Sequence, residues 1–390
     1  MTGGQNKKIL LVDDSAVVRG LLARLIDAQP GMEVVSTAPN GRVGVDKTRS
    51  LNPDLVVLDI EMPVMNGLDA LVEIRKTHPK TPVVMFSTLT ENGASATISA
   101  LELGASDYAG KPQSASNMSS ALEMVKDELV AKIEALLGPT GIARRPAARP
   151  ASGGAAPKGR PGAPATATAP AAAAPRSRRA VSVHPLAVVL GSSTGGPHAL
   201  EAVLTAIKQP LPVPIYVTQH MPATFTRVLA ERLNTKCATT VVEGENGMAT
   251  EPGHCYIAPG GFHMALRRDG TTVLLEMLET PPINSCRPSV EPMFESAIKI
   301  YNKRLVGVML TGMGADGLEG SRQIAEMGSP MVVQDEATSV VWGMPGAVAK
   351  AGLASEILPL AEIGMRISQL VGAGAGSRSA QLAPTGRERT

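Results

Sequence analysis

Three polar residues of this chain stand directly after apolar runs, and their types could together perform acyl transfer. They are Ser193, His220 and Asp316. The apolar runs predict buried strands of a parallel sheet, whose carboxyl ends meet at one edge where ligands bind. A hydroxyl, an imidazole and a carboxylate at that edge are a candidate nucleophile, general base and orienting acid. We therefore predict a Ser–His–Asp triad.

The segment around Ser193 has the composition of a tight turn between a strand and a helix. Gly191, Ser193 and Gly195 match the spacing of a nucleophile elbow, which lifts a hydroxyl beside the free N–H groups of a helix start. This pattern alone is weak, because Gly/Ser-rich turns also serve as simple turns or phosphate cradles. We expect N–H groups near Thr194 and Met313 to form an oxyanion hole. The chain order Ser, His, Asp differs from that of ordinary α/β-hydrolases, so it predicts a separate solution to the same geometry.

Of the six histidines, His220 is the best placed to act as the base. His254 and His263 flank the turn at 258–261 and remain candidate contacts for a substrate. Cys286 lies in a polar turn with no base evident beside it, so we expect a bystander thiol. The three cysteines have no metal-ligand spacing and are expected to be reduced cytoplasmic thiols.

The N-terminal third carries a second group of polar residues at predicted strand ends. Its members are Asp13, Asp14, Asp59, Ser87 and Lys111. Gathered carboxylates repel one another and favour a divalent cation with oxygen ligands, most simply Mg²⁺, with Asp14 and Asp59 as its ligands. The Lys111 ammonium and the Ser87 hydroxyl would stabilise a phosphoryl group carried by one carboxylate. A site that binds only metal is the alternative.

Residues 7 to about 125 resemble a response-regulator receiver domain. In that resemblance Asp13 and Asp14 match the acid pocket and Asp59 matches the phosphoacceptor. Ser87 matches the switch hydroxyl, where threonine is common in the family. Tyr108 matches the aromatic switch residue and Lys111 the pocket lysine.

Residues 185 to about 370 resemble the catalytic domain of the chemotaxis protein-glutamate methylesterases. Four motifs carry this resemblance, at 193–196, 219–222, 311–317 and 342–345. It implies a hydrolase of glutamate methyl esters on chemoreceptor cytoplasmic domains, which also deamidates receptor glutamines and needs no cofactor for hydrolysis. The receiver resemblance implies a histidine kinase as phosphodonor, Mg²⁺ at the receiver, and activation by phosphorylation. A catalytically idle adaptor or phosphate sink remains the alternative function.

Composition divides the chain into two domains and two low-complexity segments. We predict a receiver domain at 1–130, a disordered Pro/Ala/Arg-rich linker at 138–184, a catalytic domain at 185–372 and a disordered tail at 374–390. The linker carries eight basic residues and no acidic ones, and the tail carries three arginines and one glutamate, so the rest of the chain has a formal net charge of about −8 against +2 for the whole. The folded parts are therefore acidic, which disfavours nucleic acid as a partner.

The expected fold class is α/β throughout, with mainly parallel sheets, flavodoxin-like in the first domain and doubly wound in the second. Spaced apolar residues from Val290 to Tyr301 predict an amphipathic helix that packs on the second sheet. No apolar run approaches the ~20 residues that span a membrane, and the polar start lacks a signal-peptide core. We expect a cytoplasmic protein that is not embedded in a membrane.

Overall fold

The structure, a computed structural model, describes residues 6–88, 90–111, 125–138 and 184–372. The predicted disordered segments, apart from Gly138 and His184, lie outside the described residues, and the predicted domain limits stay predictions. No helix in the described ranges is long and apolar enough to cross a membrane.

The first domain is a five-stranded parallel sheet with the strand order β2-β1-β3-β4-β5. Its strands are β1 Lys7–Val12, β2 Met32–Ala38, β3 Leu55–Asp59, β4 Val83–Thr88 and β5 Asp107–Lys111. Its helices are α1 Ala16–Asp27, α2 Gly41–Leu51, α3 Gly67–Thr77, α4 Glu91–Glu102 and α5 Ala131–Leu137, the last preceded by a π-helical turn at Lys126–Val130. This order confirms the predicted flavodoxin-like fold.

Alternate residues of β1 face opposite sides of this sheet. Leu10 and Val12 join one buried apolar cluster, whereas Ile9 and Leu11 join another. Since both faces are covered, the strand has to be apolar throughout, as parallel strands generally are. The chain turns to opposite sides after β1 and β3, so polar residues at their carboxyl ends lie at a switch point of the sheet.

The second domain contains a seven-stranded parallel sheet with the order β14-β13-β12-β6-β7-β9-β8. Its strands are β6 Ala187–Ser192, β7 Ile215–Gln219, β8 Thr240–Glu243, β9 His254–Ile257, β12 Leu305–Met309, β13 Met331–Gln334 and β14 Glu356–Leu358. Its helices are α6 Gly196–Ala206, α7 Ala223–Lys236, α8 Val290–Tyr301, α9 Leu318–Glu326, α10 Met344–Lys350 and α11 Leu360–Gly372. The parallel, doubly wound prediction is confirmed.

An antiparallel hairpin, β10 His263–Asp269 with β11 Thr272–Leu278, was not predicted from the sequence. Helix α8 packs against β10 and begins where the chain returns from the hairpin. Its predicted apolar face is confirmed, with Val290, Met293, Phe294 and Ala297 fully buried.

Strand register brings two site residues to the same level. Ser192 pairs with Gln219 at the carboxyl ends of β6 and β7, so Ser193 and His220 leave the sheet side by side. On the other side β6 pairs with β12, which leads to Asp316. The switch point of this sheet therefore lies at β6.

Candidate functional site

Ser193 lies in the turn between β6 and α6. Its N–H donates to the Thr311 carbonyl at 3.0 Å, and its carbonyl accepts from the Gly196 N–H at 2.7 Å. Gly195 adopts φ 76°, and a side chain there would meet Val340 at 2.6 Å, so the turn requires glycine. Among the described residues the Ser193 hydroxyl has no hydrogen-bond partner, and the residue is partly exposed.

His220 and Asp316 are in direct contact. Nε2 of His220 lies 2.8 Å from Oδ2 of Asp316. Burial by itself raises the pKa of Asp316, but His220, the Val290 N–H and the Asn284 amide together outweigh burial and hold that pKa below its ordinary value. Burial by itself lowers the pKa of His220, but the hydrogen bonds that the ring makes to the acceptors Asp316 and Cys286 raise it to about 9. The two residues form an imidazole–carboxylate dyad at the edge of the sheet.

Three further groups hold the Asp316 carboxylate. The Ser289 hydroxyl donates to Oδ1 at 2.7 Å, the Asn284 amide donates to Oδ1 at 2.9 Å, and the Val290 N–H donates to Oδ2 at 2.7 Å. Ser289 and Asn284 were missed in the sequence, where a polar turn before the helix was the available signal. With these bonds the carboxylate has little freedom to rotate away from His220.

The other ring nitrogen of His220 contacts Cys286. Sγ of Cys286 lies 3.4 Å from Nδ1, and the structure shows no hydrogen bond between His220 and the Ser193 hydroxyl. The expectation that Cys286 has no base beside it is therefore wrong. That expectation failed because the chain separation of 66 residues hid the contact.

Gln219 connects the turn that carries Ser193 to His220. Its amide donates to the carbonyls of Ser193 at 3.0 Å and His220 at 3.3 Å, while its oxygen accepts from the Ser192 hydroxyl at 2.7 Å. The side chain is almost fully buried. A buried amide with all these partners fixes the spacing of two strand ends that carry Ser193 and His220.

The two predicted oxyanion donors have free backbone N–H groups. Within the described ranges, the N–H groups of Thr194 and Met313 donate no hydrogen bond. Gly312 brings the second loop close, since a Cβ placed there would lie 2.9 Å from Cβ of Ser193. The N–H groups remain available to a developing oxyanion, although their role stays a prediction.

The two histidines considered as substrate contacts have other partners. His263 is fully buried; its Nδ1 accepts the Ser289 N–H at 3.0 Å, and its Nε2 lies 3.1 Å from the Pro281 carbonyl. His254 stacks on Tyr256. His263 is thus a structural residue that joins the loop before α8 to the hairpin.

In the first domain, Lys111 bridges two carboxylates at the carboxyl ends of β1 and β3. Its Nζ lies 2.8 Å from Asp13 Oδ2 and 2.8 Å from Asp59 Oδ1. Asp13, Asp14 and Asp59 each offer an oxygen within 4.8 Å of the others, and Asp59 Oδ2 is buried without a hydrogen bond. This orphaned oxygen and the all-carboxylate donor set fit a divalent cation such as Mg²⁺. Burial raises the pKa of Asp59 to about 6, although Lys111 opposes the rise.

Ser87 and Tyr108 are both buried and lie on the neighbouring strands β4 and β5. Among the described residues, the Ser87 hydroxyl has two long hydrogen bonds, of 3.4 Å to the Thr88 carbonyl and 3.5 Å to the Gly93 carbonyl. Tyr108 is turned inward and stacks on Phe225 of the second domain with ring centroids 4.6 Å apart. The aromatic side chain therefore links the first domain to α7.

The first domain also contacts the turn that carries Ser193. The Thr194 hydroxyl donates to Asp107 Oδ2 at 2.7 Å, and both residues are nearly inaccessible. Lys132 lies 3.7 Å from the same carboxylate. A buried charged hydrogen bond thus covers the residue next to the candidate nucleophile.

A polar contact between α4 and α7 completes this interface. Arg232 donates to Ser95, Ser99 and Glu102, and Lys236 lies 2.8 Å from Glu102. Arg227 pairs with Glu91. These side chains are at least partly exposed, so each ion pair by itself contributes little to the free energy of the contact between α4 and α7. The contact therefore depends on all of these pairs together.

Comparisons with known proteins match both halves of the chain. The family described as a response regulator receiver domain matches residues 9–123, and the family described as CheB methylesterase matches residues 188–367. A protein-glutamate methylesterase/protein-glutamine glutaminase of a Nocardioides species is 45% identical over 92% of this chain and 94% of its own length. One of the same name from Paramagnetospirillum magneticum is 44% identical over 93% and 96%.

A solved structure, the Thermotoga maritima CheB methylesterase catalytic domain, also resembles the chain. It is 39% identical, with a TM-score of 0.47, and the match covers 48% of this chain and 100% of that one.

Proposed function

Since the chain belongs to the protein-glutamate methylesterase/protein-glutamine glutaminase family, we propose that it removes methyl esters from glutamate side chains of chemoreceptors. We propose the same site for hydrolysis of receptor glutamines to glutamates. The observation that carries this proposal is the His220–Asp316 dyad beside the Ser193 turn at the switch point of the second sheet. The relatives named as enzymes give the alternative of an idle adaptor no support.

The proposed reaction begins at the Ser193 hydroxyl. Its oxygen attacks the ester carbonyl carbon while its proton passes to Nδ1 of His220, because Nε2 is bound to Asp316. The adduct expels the methoxy oxygen, which takes this proton and leaves as methanol. Water then attacks the acyl-serine, and His220 returns the water's proton to Ser193 as glutamate departs. With a glutamine substrate the leaving group is ammonia.

Asp316 and two backbone N–H groups stabilise the charges that develop during the proposed reaction. Asp316 keeps the ring of His220 in one orientation and stabilises its charged form during both steps. The N–H groups of Thr194 and Met313 are the proposed oxyanion donors, which in other enzymes contribute about 3–4 kcal/mol each. No cofactor is proposed for this hydrolysis.

We propose Asp59 as the phosphoacceptor of the receiver, with a histidine kinase as phosphodonor. Asp14 and Asp59, beside Asp13, would hold Mg²⁺, which would neutralise charge on the incoming phosphoryl group. We expect Lys111, which lies 2.8 Å from Asp59 Oδ1, and Ser87 to contact phosphoryl oxygens on Asp59. We expect Tyr108, which stacks on Phe225, to relay the change to the second domain.

Phosphorylation is proposed to activate the hydrolase by releasing the receiver. In the described arrangement Asp107 binds Thr194, so the receiver lies against one of the proposed oxyanion donors. We propose a receiver domain at 1–130 and a catalytic domain at 185–372. The segment 138–184 is the proposed linker between them, and 374–390 is the proposed tail. We propose a cytoplasmic location, where the methylated receptor domains are accessible, and neither nucleic acid nor membrane insertion is part of this function.

Methanol release from a methylated chemoreceptor tests the proposal. We expect release by the full-length chain, stimulated by a small phosphodonor, and a loss of several orders of magnitude in Ser193→Ala with the fold retained. Substantial release by Ser193→Ala would require another nucleophile. No methanol release by the wild-type chain would instead favour the alternative function, a catalytically idle adaptor.

A further inference from the structure

A four-residue turn at 283–286 contacts the His220–Asp316 dyad. Ile283 and Cys286 exchange two backbone hydrogen bonds, of 3.0 and 2.8 Å, and the two residues between them, Asn284 and Ser285, have φ of 50° and 63°. These are the hydrogen bonds and dihedral signs of a tight hairpin turn. Asparagine tolerates the left-handed region because its short polar side chain can hydrogen-bond locally.

This turn contacts both members of the dyad. Asn284 donates to Asp316, and Sγ of Cys286 lies 3.4 Å from Nδ1 of His220, which is hydrogen-bond distance for sulfur. In the proposed reaction Nδ1 has to receive the proton of Ser193. The thiol therefore occupies the ring atom that the mechanism needs.

The backbone of the turn at 283–286 is held on both sides. Before the turn, the Pro281 carbonyl is bound by buried His263. After it, the Arg287 carbonyl accepts from the Gly261 N–H at 3.1 Å, and the Arg287 guanidinium donates to the Thr280 carbonyl at 3.1 Å. Because the backbone is held, any exchange of partners at Nδ1 requires rotation of the imidazole or of the Cys286 side chain.

We propose that Cys286 is a positioning residue of the esterase site. Its S–H donates to the Asn284 carbonyl at 3.5 Å, so its sulfur accepts from Nδ1–H of the protonated ring and holds His220 in a resting orientation that is not available to Ser193. This inference rests on the proposed function. Removal of the thiol leaves Nδ1 without a competing partner, so the base is more readily available to Ser193.

The electrostatics of His220 agree with this geometry. Burial lowers its pKa, and the groups that raise it to about 9 are the Asp316 carboxylate, from the loop after β12, and Cys286, from the loop before α8. Below that pH the ring is mostly protonated and cannot accept the proton of Ser193. Loss of the Cys286 contact is therefore expected to lower the pKa of His220 and to extend the basic form to lower pH.

The test is the pH dependence of kcat/KM for methanol release by the full-length chain, because the acidic limb of that profile reports the free enzyme. In Cys286→Ala we expect the limb to move down by about 0.7 pH unit, equivalent to about fivefold faster hydrolysis on the limb. Cys286→Val, which fills the volume without hydrogen bonding, is expected to shift it similarly. Cys286→Ser, which restores a shorter polar group, is expected to fall between Cys286→Ala and the wild type.

Cys237→Ala is the matched control, because Cys237 lies at the end of α7 away from the dyad and should leave the limb in place. Ser193→Ala supplies the background from alkaline hydrolysis. A limb unmoved in folded Cys286→Ala and Cys286→Val, whatever their overall rates, overturns the positioning role. If Cys286→Ala does not fold, the limb of Cys286→Val decides. Absence of methanol release by the wild-type chain is a different result, since it refutes the proposed function itself.

Discussion

The contact between α4 and α7 offers a way to open the proposed inhibited arrangement without touching the catalytic residues. Arg232 donates four hydrogen bonds across it, at 2.8 Å to the Ser95 carbonyl, 3.0 Å to the Ser95 hydroxyl, 2.8 Å to the Ser99 hydroxyl and 3.1 Å to Glu102. Its side chain is 26% exposed. We predict that Arg232→Ala raises the activity of the unphosphorylated enzyme.

The expected magnitude follows from these bonds. Hydrogen bonds from a charged group contribute about 1.5–3 kcal/mol when well buried, and partial exposure reduces this set to about 1–2 kcal/mol. A loss of that size changes the ratio of closed to open forms by about 5- to 30-fold. While the closed form dominates, basal hydrolysis rises by nearly the same factor.

The assay is methanol release from methylated receptor, measured with and without a small phosphodonor. Arg366→Ala is the matched control, because Arg366 makes a comparable set of bonds to Glu356 within the second domain. Higher ionic strength should also raise basal activity in the wild type, and less so in Arg232→Ala, since the lost pair is screened by salt. A basal rate in Arg232→Ala equal to that of wild type, with stimulation intact, would refute this interface as the inhibitory contact.

Three further predictions concern the two sites and their connection. His220→Ala is expected to reduce methanol release by several orders of magnitude, as Ser193→Ala is. Asp316→Asn should reduce it less, because His220 and the oxyanion donors are still present; equal losses in all three variants would contradict the orienting role of Asp316. Mg²⁺-dependent labelling by a small phosphodonor should vanish in Asp59→Asn and weaken in Lys111→Ala, whereas full labelling of Asp59→Asn would place the acceptor elsewhere. A fragment that begins near Ser182 should hydrolyse ester about tenfold faster than the unphosphorylated full-length chain, and equal rates would exclude inhibition by the receiver.

Much of the fold could be predicted because short-range patterns determine it. Apolar runs such as 187–190 have to be buried on both faces, and the residues that end them have to lie at the carboxyl edge of a parallel sheet. The same rule placed Asp13, Asp59 and Lys111 together before any contact was known. The hairpin of β10 and β11 was missed, since its outer half is charged and it lies outside the parallel sheets.

By itself, therefore, the sequence determined which chemical groups stand at the sheet edges: a serine, a histidine and an aspartate in one domain, and clustered carboxylates with a lysine in the other. The tertiary structure alone decided what those groups touch. Cys286 reaches His220 across 66 residues, and Asp107 reaches Thr194 across 87. Such contacts depend on the paths of loops and on the docking of two domains, and no periodicity in the chain encodes either one.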